Sequence, residues 1–240
     1  MLFAVDAHVH LEDSLPDFAA VEQRMATASG RRDAVPVLLL TERHGRHVHR
    51  ELGALFEPTA DGLGLVRRGG SLIVVPGRQF ESEERIEILA YGYGPDELEG
   101  RSAVQIIREL AKDGVPVALP WGVGKWTGPR RAAVRQLIAD FGDGLLLGDI
   151  AGRPSLWPEP LFAGCRVLNG GDNLPIAGGS LRIGSFGSLV EGFGPNGRPV
   201  ESLFRSLRDH AVLLRDFGAR RSLIRSGEEQ LRLRFAREAA

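Results

Sequence analysis

The stretch that decides the fold is LFAVDAHVH, residues 2–10. It is apolar for most of its length, as expected for a strand covered on both faces, and it ends in two histidines. Residues two apart on a strand point the same way, so His8 and His10 direct their imidazoles to one place. Two such nitrogens can bind a divalent metal, and Asp6 could orient one ring. Two half-buried histidines with ordinary hydrogen bonds would give the same pattern.

Beyond this strand, short apolar runs alternate with helical patterns, which is typical of parallel βα units in an α/β fold. The predicted strands cover residues 2–9, 35–41, 72–75, 86–91, 115–119, 145–150, 166–168 and 181–183. Helices are predicted after Ser102, which forms a capping box with Gln105, and over 130–141 and 200–217. The Gly- and Pro-rich segment 184–199 is predicted to be a loop, and the charged segment 222–240 a peripheral helix.

Composition sets limits on the class of protein. The 240 residues are 43% hydrophobic, enough for one sizeable core. A net charge of -1 gives no general attraction to nucleic acid or to anionic membranes. The single cysteine, Cys165, excludes an intramolecular disulfide and a cysteine zinc cage. With no leader pattern and no apolar run of about 20 residues, we expect a cytoplasmic protein with neither membrane nor nucleic-acid partners. The oligomeric state is open.

Four further motifs follow DAHVH in order: LLTERH at 39–44, PGRQ at 76–79 with EILAYG at 87–92, ALP at 118–120 and GGDNL at 170–174. Together the motifs resemble those of the PHP (polymerase and histidinol phosphatase) family of metal-dependent phosphoesterases. That family has an Asp-His pair, a Gly-x-Glu with a following His, an Ala-His-Pro and a Gly-Ser-Asp-x-His at these places. The resemblance implies a PHP-type distorted (β/α)7 barrel, similar to a TIM barrel, spanning 1–240 as a single domain.

Several ligand positions of the family hold other residues in this chain. Where the family has glutamate or histidine ligands, the chain has Gln79, Glu87, Leu119 and Leu174. In the second motif Glu42 stands for aspartate and Arg43 for histidine, with His44 one residue later. Leucine has no donor atom and glutamine has no charge, so a three-metal centre is not expected.

The remaining ligands implied by the resemblance are His8, His10 and Asp172. They could hold one divalent ion (zinc, manganese or iron), and Glu42 or Glu87 could add a carboxylate. If the site has decayed, no metal is bound.

A basic loop, WGVGKWTGPRR at 121–131, follows a predicted strand and opens a helix. Such a loop lies at the mouth of an α/β barrel, where Lys125 and Arg130 could hold a phosphate. The alternative is a turn with solvated basic residues. His44 could act as a displaced ligand or proton carrier, whereas surface positions are favoured for His47 and His49.

The leading interpretation is a PHP-like hydrolase, a phosphoesterase with a reduced, single-metal site that acts on a small phosphorylated or otherwise anionic ligand. One alternative is a non-catalytic barrel that binds a ligand or another protein. The other is a mononuclear enzyme of the amidohydrolase type, because those enzymes also open with two histidines around one residue.

Overall fold

The computed structural model describes residues 1–11, 15–122, 124–173, 180–193 and 197–220. Over these residues the strands are β1 (Leu2–Val9), β2 (Val35–Leu40), β3 (Phe56–Pro58), β4 (Leu65–Arg67), β5 (Ile73–Val75), β6 (Gly77–Glu81), β7 (Glu87–Tyr91), β8 (Val117–Pro120), β9 (Leu146–Ile150), β10 (Val167–Gly170), β11 (Phe186–Glu191) and β12 (Leu214–Gly218). The α-helices are α1 (Phe18–Ser29), α2 (Ala103–Lys112), α3 (Gly128–Phe141) and α4 (Pro199–Arg208).

The strands form two sheets, with orders β12-β11-β1-β2-β5-β4-β3 and β10-β9-β8-β7-β6. The predicted closed (β/α)7, TIM-like barrel is wrong: both sheets are open, and no closed barrel is seen among the described residues. The physical reason lies between β3 and β7, where strands follow one another with no α-helix between them. Strand β4 pairs antiparallel with β3 and with β5, β6 pairs antiparallel with β7, and the chain changes sheets between β5 and β6. The βα alternation that closes a parallel barrel is therefore interrupted.

The two sheets meet at the carboxyl ends of β1 and β2. The backbone N–H of Asp172, just after β10, donates to the carbonyl of His8 at 2.9 Å. The backbone N–H of Glu42, just after β2, donates to the carbonyl of Gly77 at 3.1 Å, and Gln79 donates back to Glu42 at 2.9 Å. Residues at the strand ends of both sheets are therefore brought to one region.

Strand β1 lies between apolar clusters on its two faces. Phe3 and Val5 belong to one cluster and Ala4 and Val9 to another. Burial on both faces explains why this strand is almost entirely apolar until its histidines.

The sequence pattern misplaced several elements. The predicted strand 181–183 is part of a 3-10 turn, Ser180–Arg182, and the predicted loop 184–199 contains β11. The helix predicted over 200–217 ends at Arg208 and is followed by β12, and α1 was not predicted. The capping box of Ser102 and Gln105 is confirmed.

The predicted helix over 222–240, as well as Leu174, lies outside the described residues. None of the described helices is long and apolar enough to cross a membrane.

Gly77 offers a test of the junction between the sheets. A Cβ at this position would lie 2.4 Å from the Leu40 carbonyl oxygen and 2.6 Å from that of Ala90. Because both obstacles are backbone atoms, we expect Gly77→Ala to lower the free energy of unfolding by about 3 kcal/mol, measured by urea denaturation. The matched control is Gly94→Ala, whose Cβ would meet nothing within 4 Å. Equal stability of the two variants would contradict the tight junction.

Candidate metal centre

The two histidines of β1 face each other at the carboxyl end of the strand. The Nε2 atoms of His8 and His10 are 3.1 Å apart, and both side chains are buried. The pairing of β1 with β2 has an irregular register between Asp6 and Val9. Such irregularities turn side chains from their regular direction and are frequent beside functional sites.

Asp172 reaches the same point from the end of β10. Its Oδ1 lies 3.7 Å from His8 Nε2 and 3.9 Å from His10 Nε2. Asp172 has a φ of 44°, in the left-handed region that non-glycine residues rarely occupy. Its neighbour Asn173 fixes the loop, since the Asn173 side chain accepts from the backbone N–H of His10 at 2.8 Å and donates to the His10 carbonyl at 2.6 Å. A strained conformation held by such contacts is typical of functional sites.

The three donor atoms have the spacing of ligands to one metal ion. Atoms separated by 3.1, 3.7 and 3.9 Å lie on a circle with a radius of about 2.1 Å, which is the length of a bond from zinc to an imidazole nitrogen or a carboxylate oxygen. Two imidazoles and a carboxylate also suit zinc, iron or manganese chemically.

Gln79 lies beside this group. Its Oε1 is 3.2 Å from His8 Nε2, so the third motif does bring its side chain to the histidines. The amide oxygen can accept a hydrogen bond or bind a cation, but it adds no negative charge.

Asp6 has a different role from the predicted one of orienting a ring. It is fully buried, and its carboxylate accepts from the backbone N–H groups of Gly171 at 2.6 Å, Gly184 at 2.8 Å and His8 at 3.4 Å. Burial raises the pKa of Asp6 to about 7, although these N–H groups act in the opposite direction. Asp6 thus holds the loop that carries Asp172 against β1.

His10 is in the form that binds metals. Burial, followed by the neighbouring His8, lowers the pKa of His10 to about 3, while the Asp172 carboxylate acts in the opposite direction. The positive charges of Arg43 and Lys125 lower this pKa further. At neutral pH His10 therefore presents a nitrogen lone pair, and two cationic side chains lie near enough to influence it.

The predicted phosphate-holding residues have partners within the protein. The ammonium of Lys125 donates to the carboxylate of Glu87, and Lys125 is half-buried. Arg130 donates through Nη2 to the carbonyl of Gly124 at 2.8 Å. Glu87 is thus brought to Lys125, and its predicted place among the metal ligands stays a prediction, as do the roles of Lys125 and Arg130.

Glu42 and the histidines that follow it form a second group. Potential ligand atoms of Glu42, His47 and His49 lie within 4.8 Å of one another. His44 belongs to neither group of potential ligands; it is 65% exposed, and its Nδ1 lies 3.9 Å from Asp96. Its catalytic role and a place for Glu42 beside His8 stay predictions.

His47 and His49 are partly exposed, with side-chain exposures of 27% and 17%, and their surface role stays a prediction. The signal that could have found them is a glutamate followed by histidines five and seven residues later at a strand end.

No family model matches this chain, and no curated protein sequence matches it. Its structure is similar to PsfC from Pseudomonas syringae PB-5123, with a TM-score of 0.57 and 15% identity, over 97% of this chain and 99% of PsfC. It is also similar to the lesion-specific endonuclease from Pyrococcus furiosus, endonuclease Q, with a TM-score of 0.55 and 14% identity, over 89% of this chain and 58% of that one. A complex of endonuclease Q with a 27-mer duplex carrying an abasic lesion at the active site gives 0.51 and 16%, over 87% and 57%.

PsfC and endonuclease Q are PHP-fold-related proteins, and the likeness supports a PHP-like fold for this chain. At these identities the likeness concerns the fold alone. This chain spans less than three-fifths of the endonuclease Q chains.

The expected partners need correction. A small anionic ligand with no nucleic acid is contradicted, because the similar structures include endonuclease Q bound to a DNA duplex. The reason is that a net charge of -1 describes the whole chain, whereas binding of a phosphate backbone depends on the local potential at the site.

Asp6→Ala tests how the loop of Asp172 is held. The substitution leaves buried N–H groups without their acceptor, so we expect the free energy of unfolding of the metal-free protein to fall by about 3 kcal/mol. Urea denaturation monitored by circular dichroism measures it. Asp6→Asn keeps one acceptor oxygen and should lose less, while Asp143→Ala, at an exposed carboxylate, should change little. A stable Asp6→Ala variant would show that the carboxylate does not hold this loop.

Proposed function

We propose that this chain is a metal-dependent phosphoesterase that cleaves a phosphodiester in a nucleic acid, with one divalent ion bound by His8, His10 and Asp172. The observation that carries the proposal is the spacing of the three donor atoms, whose common centre lies at metal-bond distance from each. A bound ion there would polarise a phosphoryl oxygen and lower the pKa of a water ligand.

The proposed ligand group carries little negative charge. His8 and His10 contribute no negative charge, and Gln79 is neutral, so Asp172 is the single carboxylate of this group among the residues that the structure describes. A site with few negative ligands leaves most of the ion's charge for an anionic substrate. Positive charges of Arg43 and Lys125 near His10 add to it.

Lys125 and Arg130 are proposed to hold a phosphate oxygen. Lysine has three N–H donors and arginine five, so the bonds from Lys125 to Glu87 and from Arg130 to Gly124 leave donors for a substrate. Their loop begins directly after β8. Because β8, β9 and β10 run parallel, this loop lies at the same edge of the second sheet as Asp172, which follows β10.

A nucleic-acid substrate is supported by an exposed aromatic ring in the loop after β9, which begins near Asp172. The loop after β9 starts beside that residue, because Ala151 donates to the Gly170 carbonyl at 3.0 Å. Trp157 in this loop is 47% exposed and contacts buried Trp121 edge-on, at 6.1 Å between ring centroids. The Trp157 carbonyl accepts from Arg153, which the buried Asp149 holds through two hydrogen bonds. A half-exposed indole on a braced loop can stack on an unpaired base.

A second candidate function is nucleic-acid binding without cleavage. It is favoured by Gln79 and by the pairing of Lys125 with Glu87, since a ligand group without a second carboxylate binds metal less tightly. Metal content and turnover, measured on the same preparation, separate the two functions.

His8→Ala is the decisive variant. We expect the wild-type protein to bind one more equivalent of zinc or manganese than His8→Ala, and to hydrolyse bis(p-nitrophenyl) phosphate and a labelled oligonucleotide. Loss of one imidazole should lower kcat/KM by at least about 100-fold and remove the metal ion of this centre. Metal content is measured by mass spectrometry and turnover with both substrates.

His210→Ala is the matched control, because His210 is exposed and lies near Asp143. Unchanged hydrolysis by His8→Ala would refute the proposed centre. Metal binding by the wild type without turnover of either substrate would favour the non-catalytic candidate.

Trp157→Ala tests the aromatic contact. Because stacking of a base on an aromatic ring contributes about 1–3 kcal/mol, we expect binding of a single-stranded oligonucleotide to weaken about tenfold or more. Fluorescence anisotropy in the absence of metal measures it, with Trp157→Phe expected to retain most of the affinity. Leu213→Ala removes another exposed apolar side chain, 69% exposed, and should have no effect. Equal affinities of wild type and Trp157→Ala would exclude the stacking role.

A further inference from the structure

We propose that Glu42, His47 and His49 form a second binding site for a divalent transition metal, apart from the centre at His8. Potential ligand atoms of these three residues lie within 4.8 Å of one another. A carboxylate with two imidazoles is a donor set suited to zinc, cobalt or nickel.

The carboxylate of this group is rigidly placed. Glu42 follows β2 directly and is fully buried, and its backbone is bonded to Gly77 and Gln79 as described above. Its Oε1 accepts the backbone N–H of His49 at 2.8 Å, and its Oε2 lies 2.7 Å from His49 Nδ1. Both oxygens of the Glu42 carboxylate are therefore held against His49.

The imidazoles are arranged to complete the group. His47 and His49 lie at the start of a 3-10 helix, Val48–Ala54, with ring centroids 6.1 Å apart. Nδ1 of His47 is buried and has no hydrogen-bond partner within the described part of the chain. A buried nitrogen without a partner is costly, and binding a cation would satisfy it. Both rings are partly exposed, 27% and 17%, so an ion can enter from solvent.

Two carboxylates and two guanidinium groups surround the imidazoles. The fully buried Arg78 guanidinium lies 3.8 Å from Glu42 and in contact with Asp96, and Arg50 acts on His47 through its positive charge. These charges nearly balance, so a divalent cation would be held by the donor atoms and not by a net negative field.

This site is separate from the first one because of strand geometry. Glu42 and Arg78 pair in a parallel bridge, so their side chains point to the same face. Gln79, the next residue on β6, points to the other face and contacts His8 at 3.2 Å. The backbone of β6 thus lies between the two groups, and the second site does not depend on the proposed phosphoesterase.

The experiment uses a His8→Ala/His10→Ala double variant of the full chain, which lacks the first centre. After loading with Zn²⁺ and removal of free ion, we expect one equivalent of zinc per chain by mass spectrometry. Adding His49→Ala should remove that zinc, and adding His210→Ala should not. Absence of zinc from the double variant, or its retention after His49→Ala, would overturn the site.

Two further measurements guard against misfolding. His47→Gln in the double variant leaves the bond between Glu42 and His49 intact and should still lower zinc affinity at least tenfold. The double variant itself, loaded with Co²⁺, should show paramagnetic shifts of the His47 and His49 ring protons in NMR spectra, with the His210 signals unchanged. Unshifted His47 and His49 signals in a protein containing Co²⁺ would refute the proposal without any change to the site.

Discussion

The buried carboxylate of Asp6 is the interaction on which the candidate centre depends. It joins β1 to the loop after β10 and to the approach to β11 through the N–H groups of Gly171 and Gly184. His8 lies two residues from Asp6, and Asp172 is adjacent to Gly171. The Asp6 carboxylate therefore sets the distance from the imidazoles of His8 and His10 to the Asp172 carboxylate. Glycine is needed at 171, where a Cβ would lie 2.9 Å from Asp6 Oδ2.

Two polar groups share the edge where the sheets meet, and β6 separates them. On one face Gln79 lies against His8; on the other, Arg78 lies between carboxylates of Glu42 and Asp96. Because side chains alternate along a strand, the neighbouring residues Arg78 and Gln79 belong to different polar groups. In both groups, positive side chains lie near potential metal ligands.

The local patterns of the sequence predicted local structure well. The capping box of α2 and the apolar run of β1 depend on residues close in sequence, and both are found as expected. The pattern failed at β11 and β12. Phe186–Glu191 contains a glycine, Gly187, that pattern analysis assigns to a loop, but a Cβ there would lie 2.1 Å from the Val5 carbonyl oxygen. Close pairing with β1 requires that glycine, and the pairing is a long-range contact that local periodicity does not encode.

The sequence by itself determined that His8 and His10 project together, because the two-residue period of a strand is a local property. It also determined which positions lack donor atoms, since leucine cannot bind a metal wherever it lies. Only the tertiary structure decided that Asp172 and Gln79 join His8 and His10, and that Glu42 lies beside His47 and His49. Those groupings depend on which strands pair and how two open sheets meet, and such contacts are set by packing of distant segments.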